Sequence, residues 1–264
     1  MKNKIFSFYS PHQLPLKGIL SIPHSGEWIP DEFLPYLTTS LHDLNQDLDY
    51  KVNELVDIEK LTQQGIAVLV SHVHRVCIDL NRAPELAVFA WRENTQGITL
   101  VTKNPEEAFC EKALHRYHFP YFEMLRSVLD EGKKNRQTPL PVIDLHSMPC
   151  KPTSYHLKKN PHQKLIREDF CLSDLKGKSC DPQYINFAHT LFSKEFSVSI
   201  NDPYLGGYVT QFFHQCGGNQ AIQIEINRSL YMNESSITLI DSKANGLKEK
   251  ITNNLQKIFE EFQK

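Results

Sequence analysis

The chain lacks the features that would assign it to a membrane, to nucleic acid or to an oxidising compartment. No stretch of its 264 residues approaches the ~18 apolar side chains of a spanning helix. The N-terminal M-K-N-K-I-F-S-F-Y-S-P-H has neither a continuous apolar segment nor a small-residue cleavage site, so no signal peptide is expected. Charge of one sign is missing too. With 29 basic against 31 acidic side chains the formal net charge is −2, and nothing draws the molecule as a whole to nucleic acid or an anionic membrane. An anionic substrate must then be met by local arginines. The six cysteines (Cys77, Cys110, Cys150, Cys171, Cys180 and Cys216) form no C-x-x-C pair, which fits reduced thiols of a soluble cytoplasmic protein better than a disulfide framework or zinc finger. Internal repeats and low-complexity segments are absent as well.

What is present is ordinary globular composition, 40% hydrophobic and 23% charged, enough for the core of one domain over residues 1–264. Residues 18–23 read as a strand ending at His24, and residues 65–70 as another. Between them, Val52, Leu55, Val56, Ile58 and Leu61 recur at helical spacing within residues 50–64, closed by Gly65. Residues 76–80 read as a third short strand leading to Asn81 and Arg82. Residues 105–131 read as a helix kinked at Pro120, and 142–145 as a strand. After a polar excursion at about 151–181, the pattern predicts a helix at 184–194, a strand at 196–200, a glycine turn at 206–208, a strand at 221–226 and an amphipathic helix within 235–264. Strands alternating with helices imply an α/β fold with a mixed, mostly parallel sheet flanked by helices.

Four separated segments bring polar groups to strand ends or into a strand. They hold His24; Arg75 with Asp79, Asn81 and Arg82; His146 after Asp144; and Glu225. Each alone has a structural explanation, such as a turn cap, a core ion pair or a carboxylate facing solvent. Together, two histidines, a carboxylate base and two arginines make up the set a catalytic zinc site for amide hydrolysis uses. Three protein ligands hold the metal, a carboxylate that is not a ligand moves the water's proton, and arginines meet an oxyanion and a substrate carboxylate. His72 and His74 alternate on one strand face as structural or solvent residues, and His214 is placed to touch substrate.

The motifs P-H-S-G at 23–26, D-L-N-R at 79–82, D-L-H-S at 144–147, G-G-Y at 206–208 and E-I-N-R-S-L-Y at 225–231 resemble, in this order, the N-formylglutamate amidohydrolase family. That family is similar in turn to zinc carboxypeptidase and aspartoacylase-like hydrolases. The resemblance implies a zinc carboxypeptidase-like fold with one Zn2+ at strand ends, held by His24, Asp47 and His146. Glu27, which forms H-x-x-E with His24, and Asp49 stay open as alternative acidic ligands. Glu225 resembles the catalytic base, and Arg75 the arginine that polarises the scissile carbonyl. Asn81 with Arg82 looks like the clamp for the α-carboxylate, and Asp79 like the residue that shapes their turn. Arg228 and Tyr231 serve the distal carboxylate or pack near Glu225, and Asp144 orients His146. The implied activity is cleavage of N-formyl-L-glutamate to formate and L-glutamate, a step of histidine degradation. Its partner is a small anionic N-acyl amino acid. A deacylase or carboxypeptidase acting on another N-acyl amino acid, and a non-catalytic metabolite-binding member of the fold, are the alternatives.

Overall fold

The computed structural model describes residues 4–12, 15–37, 40–134, 139–217 and 219–262. A seven-stranded sheet is built from β1 (Phe6–Tyr9), β2 (Gly18–Ile22), β3 (Ile66–Ser71), β4 (Leu140–Met148), β5 (Phe170–Ser173), β6 (Val198–Ile200) and β7 (Asn219–Asn227). Its spatial order is β1-β3-β2-β4-β7-β5-β6. Strands β3, β2, β4 and β7 run parallel, as do β5 and β6, whereas β1 meets β3 and β5 meets β7 antiparallel. The sheet is therefore mixed and mostly parallel.

Its central strands are nearly continuous apolar runs because both faces are covered. Leu20, Ile22, Val68, Val70, Ile143, Leu145, Ile222, Ile224 and Ile226 pack on one face with the helices Ile58–Gln63, Pro182–Phe192 and Asp241–Glu261. The intervening Ile19, Ala67, Leu69, Val142 and Ala221 meet the helices Phe119–Lys134 and Tyr208–Gln215 on the other. Side chains of a strand alternate between faces, so Asp144 and His146 share the face of Val142, and Gln223 and Glu225 that of Ala221. The register sets Asp144 beside Gln223 and His146 beside Glu225. The strand order reverses at β2: the chain passes to β3 on one side of it and then crosses to β4 on the other. Open α/β sheets take ligands in the crevice at such a reversal.

Several elements differ from the sequence reading. Residues 76–80 form turns, with only an isolated Ile78–Val88 bridge. Val76, Cys77, Ile78 and Leu80 are all buried, and a short buried apolar run looks alike in a strand and a turn. Residues 50–64 break into a 3-10 turn, Val52–Leu55, and the helix Ile58–Gln63, because Asp57 caps the second piece by accepting the Lys60 N–H. The helix expected at 105–131 runs as Glu107–Ala113, a π-turn Leu114–His118, and Phe119–Lys134. The wide turn directly precedes Pro120, which has no N–H to donate and whose ring would crowd the preceding turn. The polar excursion contains the helix Ser154–Lys159 and the buried β5.

Candidate active site

His24 lies two residues beyond β2, where the chain passes very close to the end of β3. A Cβ on Gly26 would stand 2.3 Å from the His72 carbonyl carbon, so only glycine fits this position of the P-H-S-G motif. The approach is fixed by the Trp28 N–H, which donates to the His72 carbonyl at 3.0 Å. His146 comes from β4, and Asp49 from the turns after the short helix Leu41–Asn45, its N–H donating to the His24 carbonyl at 3.2 Å. Asp49 Oδ2 stands 3.0 Å from His146 Nδ1 and 3.6 Å from His24 Nδ1. Among the described residues His24, Asp49 and His146 form a possible metal site, with donor atoms all within 4.8 Å of one another.

The carboxylate standing against the two histidines is thus that of Asp49, not Asp47. Asp47 is claimed elsewhere: its carboxylate accepts from Thr95 N at 2.8 Å and Thr95 Oγ1 at 2.7 Å, and its carbonyl accepts from Arg75 Nη1 at 2.9 Å. Glu27 faces outward in an ion pair with Lys51 at 3.0 Å. Asp49 Oδ1 instead accepts from Ser147 Oγ at 3.1 Å and from Arg228 Nη2 at 3.4 Å.

Each histidine has a second carboxylate behind it. His146 Nε2 lies 2.9 Å from Asp144 Oδ2, and His24 Nε2 lies 2.8 Å from Asp79 Oδ1. Asp79 is fully buried and accepts from Arg75 Nη2 at 3.0 Å, Trp91 Nε1 at 2.6 Å and the Asn81 N–H at 2.9 Å. Burying an unpaired charge costs several kcal/mol, and here Asp79 is paired with Arg75 and Asp49 with Arg228. Burial pushes the Asp49 carboxyl up, but the hydrogen bond from His146 and the nearby His24 ring outweigh it and hold the group well below the usual carboxylate range. Burial likewise opposes ionisation of Asp79, and Arg75 and His24 overcome it. His146 is drawn up despite burial, by Asp144. Glu225 differs. Burial, reinforced by the negative Asp49, pushes it up to about 7. Its Oε1 accepts from Gln223 Nε2 at 2.8 Å.

Both ring nitrogens of His24 are buried, and neither makes a well-directed hydrogen bond. Two imidazoles and a carboxylate converging on one point, with a carboxylate behind each ring, are donors that fit a divalent ion of the zinc type. His74 is different in kind. It is fully buried between Asn45 Oδ1 and the Val76 N–H, and burial drives it down to about 3, so it stays neutral and structural.

A cavity of about 340 Å³ opens over the cluster, a size suited to a small metabolite. Arg75, Asn81, Arg82, Glu225 and Arg228 line it. Asn81 is occupied by its surroundings, its Oδ1 accepting the Val209 N–H at 3.1 Å and its Nδ2 donating to Gln223 Oε1 at 3.4 Å. A Cβ on Gly207 would come within 2.1 Å of that amide, which accounts for the G-G-Y motif. Arg228 is spent on Ser147 Oγ, the Gln46 carbonyl and Asp49. Tyr231 is fully buried in the core on the opposite face of the sheet and does not line the cavity, and His214 is on the surface. Trp91, Tyr155, His156, Arg167 and Tyr204 do line it, and sequence reasoning did not single them out. Their one signal was the polar excursion, from which Tyr155, His156 and Arg167 come.

Fold and site together define a hydrolytic enzyme on an open α/β sheet. A model of the N-formylglutamate amidohydrolase family matches residues 16–232, and the chain belongs to that family of amidohydrolases. The crystal structure of N-formylglutamate amidohydrolase from Ralstonia eutropha JMP134 has the same fold, with a TM-score of 0.81 at 23% identity over 98% of each chain. The gene product Atu2144 from Agrobacterium tumefaciens superposes with a TM-score of 0.67 at 16% identity, over 97% of this chain and 96% of that one. No curated protein matches the chain.

Proposed function

We propose that the protein is a zinc-dependent amidohydrolase that cleaves the formyl amide of N-formyl-L-glutamate to formate and L-glutamate, a reaction of histidine degradation. The observation that carries this reading is the convergence of His24, Asp49 and His146 on one point, with Glu225 beside His146 on the neighbouring strand. His24, Asp49 and His146 would hold the ion, with Asp79 and Asp144 fixing the two rings. When bound, such an ion supplies a Lewis acid and makes water a better nucleophile near neutral pH.

Glu225 is the base. With Oε1 fixed by Gln223, its Oε2 takes a proton from the attacking water as the water oxygen adds to the formyl carbon. The C–N bond then breaks, and Glu225 passes the proton to the leaving nitrogen. In the metal-free chain burial and the neighbouring Asp49 raise Glu225 to about 7, the direction that suits a carboxylate which must both accept and return a proton. Arg75, held by Asp79 and the Asp47 carbonyl, presents its positive charge to the carbonyl oxygen as negative charge develops there. Arg82 takes the α-carboxylate, and Asn81, whose amide is engaged by Val209 and Gln223, acts by holding the turn that carries Arg82. All six cysteines are free, which supports a reducing, cytoplasmic setting. Among the described residues no helix is long and apolar enough to cross a membrane.

Formate release from N-formyl-L-glutamate by zinc-loaded protein, beside a chelator-treated sample, tests the reading. Chelator-sensitive release is the expected result. Stoichiometric zinc without release would redirect the search to other N-acyl amino acids, and neither zinc nor release would favour a binding protein.

A further inference from the structure

Two buried hydroxyls stand behind the site with no part in the chemistry above. Ser21 is the one polar side chain of β2, and both it and Tyr121, on the helix Phe119–Lys134, are fully buried. The strand register sets Ser21 beside Asp144 on β4 and beside Leu69 on β3. Ser21 Oγ donates to Asp144 Oδ1 at 3.2 Å and lies 2.9 Å from Tyr121 Oη. The other oxygen of Asp144 meets His146 Nε2 at 2.9 Å. Four residues from three elements thus form one hydrogen-bonded line that ends on the His146 ring.

Counting protons gives the line a direction. A hydroxyl has one proton to donate, and an ionised carboxylate can only accept. Ser21 therefore spends its proton on Asp144, and the proton between Ser21 and Tyr121 comes from the phenol. Burial pushes Tyr121 up, so the phenol keeps a proton to give. Its contact with the Leu69 carbonyl, at 3.4 Å, is the longer one. Hydrogen bonds aligned in this way polarise and strengthen one another. Packing alone does not explain the pair, because apolar side chains at 21 and 121 would avoid the cost of burying two hydroxyls between a parallel sheet and its helix. The Tyr121 ring already has an apolar partner in Phe6, met edge-on at 5.9 Å. Three residues earlier, on the same side of the helical segment, His118 Nε2 stands 3.2 Å from the Arg82 carbonyl, so this segment braces the site at two points.

We propose that Tyr121 and Ser21 are positioning residues of the metal centre: Tyr121 orients the Ser21 hydroxyl, Ser21 fixes the Asp144 carboxylate, and Asp144 fixes the ring of His146. The inference rests on the reading of His24, Asp49 and His146 as zinc ligands. Neither hydroxyl touches metal or substrate, so both act through Asp144.

The test measures zinc affinity by competition with a chelator in the wild type, Ser21→Ala, Tyr121→Phe and the double variant. Urea unfolding of the metal-free proteins and the visible spectrum of the cobalt-loaded forms are recorded beside it. Ser21→Ala removes the direct bond and should weaken zinc binding about tenfold, and Tyr121→Phe, one bond further out, about threefold. Because the phenol acts through Ser21, Tyr121→Phe should cost nothing more in the Ser21→Ala background. The cobalt spectrum, which reports ligand geometry, should shift in both single variants. A merely structural pair would move the urea midpoint and leave affinity and spectrum at their wild-type values, which overturns the proposal. Additive losses in the double variant would overturn the order of the relay. Should Ser21→Ala fail to fold, Tyr121→Phe decides alone, with wild-type affinity and spectrum as the refuting result.

The same series separates this proposal from the functional reading. A wild type that holds no zinc would refute the metal reading and the relay with it. A wild type that binds zinc without releasing formate from N-formyl-L-glutamate would refute the reaction only, and the affinities of the variants would still decide the relay.

Discussion

Trp91 Nε1 donates to Asp79 Oδ2 at 2.6 Å, and the other oxygen of Asp79 stands 2.8 Å from His24 Nε2. The same indole faces the Arg75 guanidinium at 5.3 Å and that of Arg82 at 5.6 Å, and meets the Tyr155 ring at 5.7 Å. One side chain thus ties the carboxylate behind a histidine to Arg75 and Arg82. Trp91→Phe keeps a ring and removes the donor, so Asp79 should orient His24 less firmly. Zinc affinity should fall by about tenfold with the far-ultraviolet circular dichroism unchanged. A titration against a competing chelator measures it, and unaltered affinity would remove Trp91 from the support of the site.

Asp47 and Asp49 are separated by one residue and should respond very differently to the same substitution. Asp49→Asn removes the counter-charge shared by His146 and Arg228, so the variant should fail to retain zinc and lose about 3 kcal/mol of stability. Asp47→Asn disturbs only the bonds to Thr95 and should keep its metal. Metal content after gel filtration decides between them, and the reverse order would return the ligand role to Asp47.

The raised pKa of Glu225 has a thermodynamic consequence in metal-free protein. Because the folded value, about 7, lies above the ordinary 4.5, the folded state binds the extra proton between these limits. The associated stability is present at low pH and is lost as pH rises through about 7. Glu225→Gln has no charge to bury, so at pH 8.5 the metal-free variant should be the more stable protein, by up to about 3 kcal/mol, with the advantage shrinking toward pH 5. Urea unfolding at the two pH values reads this directly. The same variant should retain zinc and lose turnover.

Gly26→Ala should be damaging although the residue has no part in chemistry. The added methyl meets backbone atoms of His72, which cannot move as a flexible side chain would. A cost of about 1–3 kcal/mol and a lowered zinc occupancy are expected, because the loop carrying His24 is displaced. Thermal unfolding with and without zinc tests both parts, and wild-type stability would mean that the loop has an alternative path.

Much of the frame was legible because strands have a period of two. In β4 and β7 the apolar positions 143 and 145, and 222, 224 and 226, fix one face, so Asp144, His146, Gln223 and Glu225 had to share the other. Glu225 is buried there rather than facing solvent because the second face is covered as well. Elements of four or five residues were less visible: β5 lies hidden in a polar stretch, and the buried run 76–80 reads as a strand but turns.

The central strands, the two histidines at the reversal point and the glycines that let backbones approach are legible in the sequence alone, since each follows from local periodicity or from the absence of a Cβ. Tertiary structure alone decided which acid joins the histidines and which arginines meet at the cavity. Asp47 and Asp49 lie in turns, where no period says which side chain points inward, and the choice was made by Thr95 on one side and by Ser147 and Arg228 on the other. Arg167 lies 85 residues from Arg82 in sequence. That both line one cavity depends on how the excursion folds back over the strand ends, a long-range contact that no local pattern encodes.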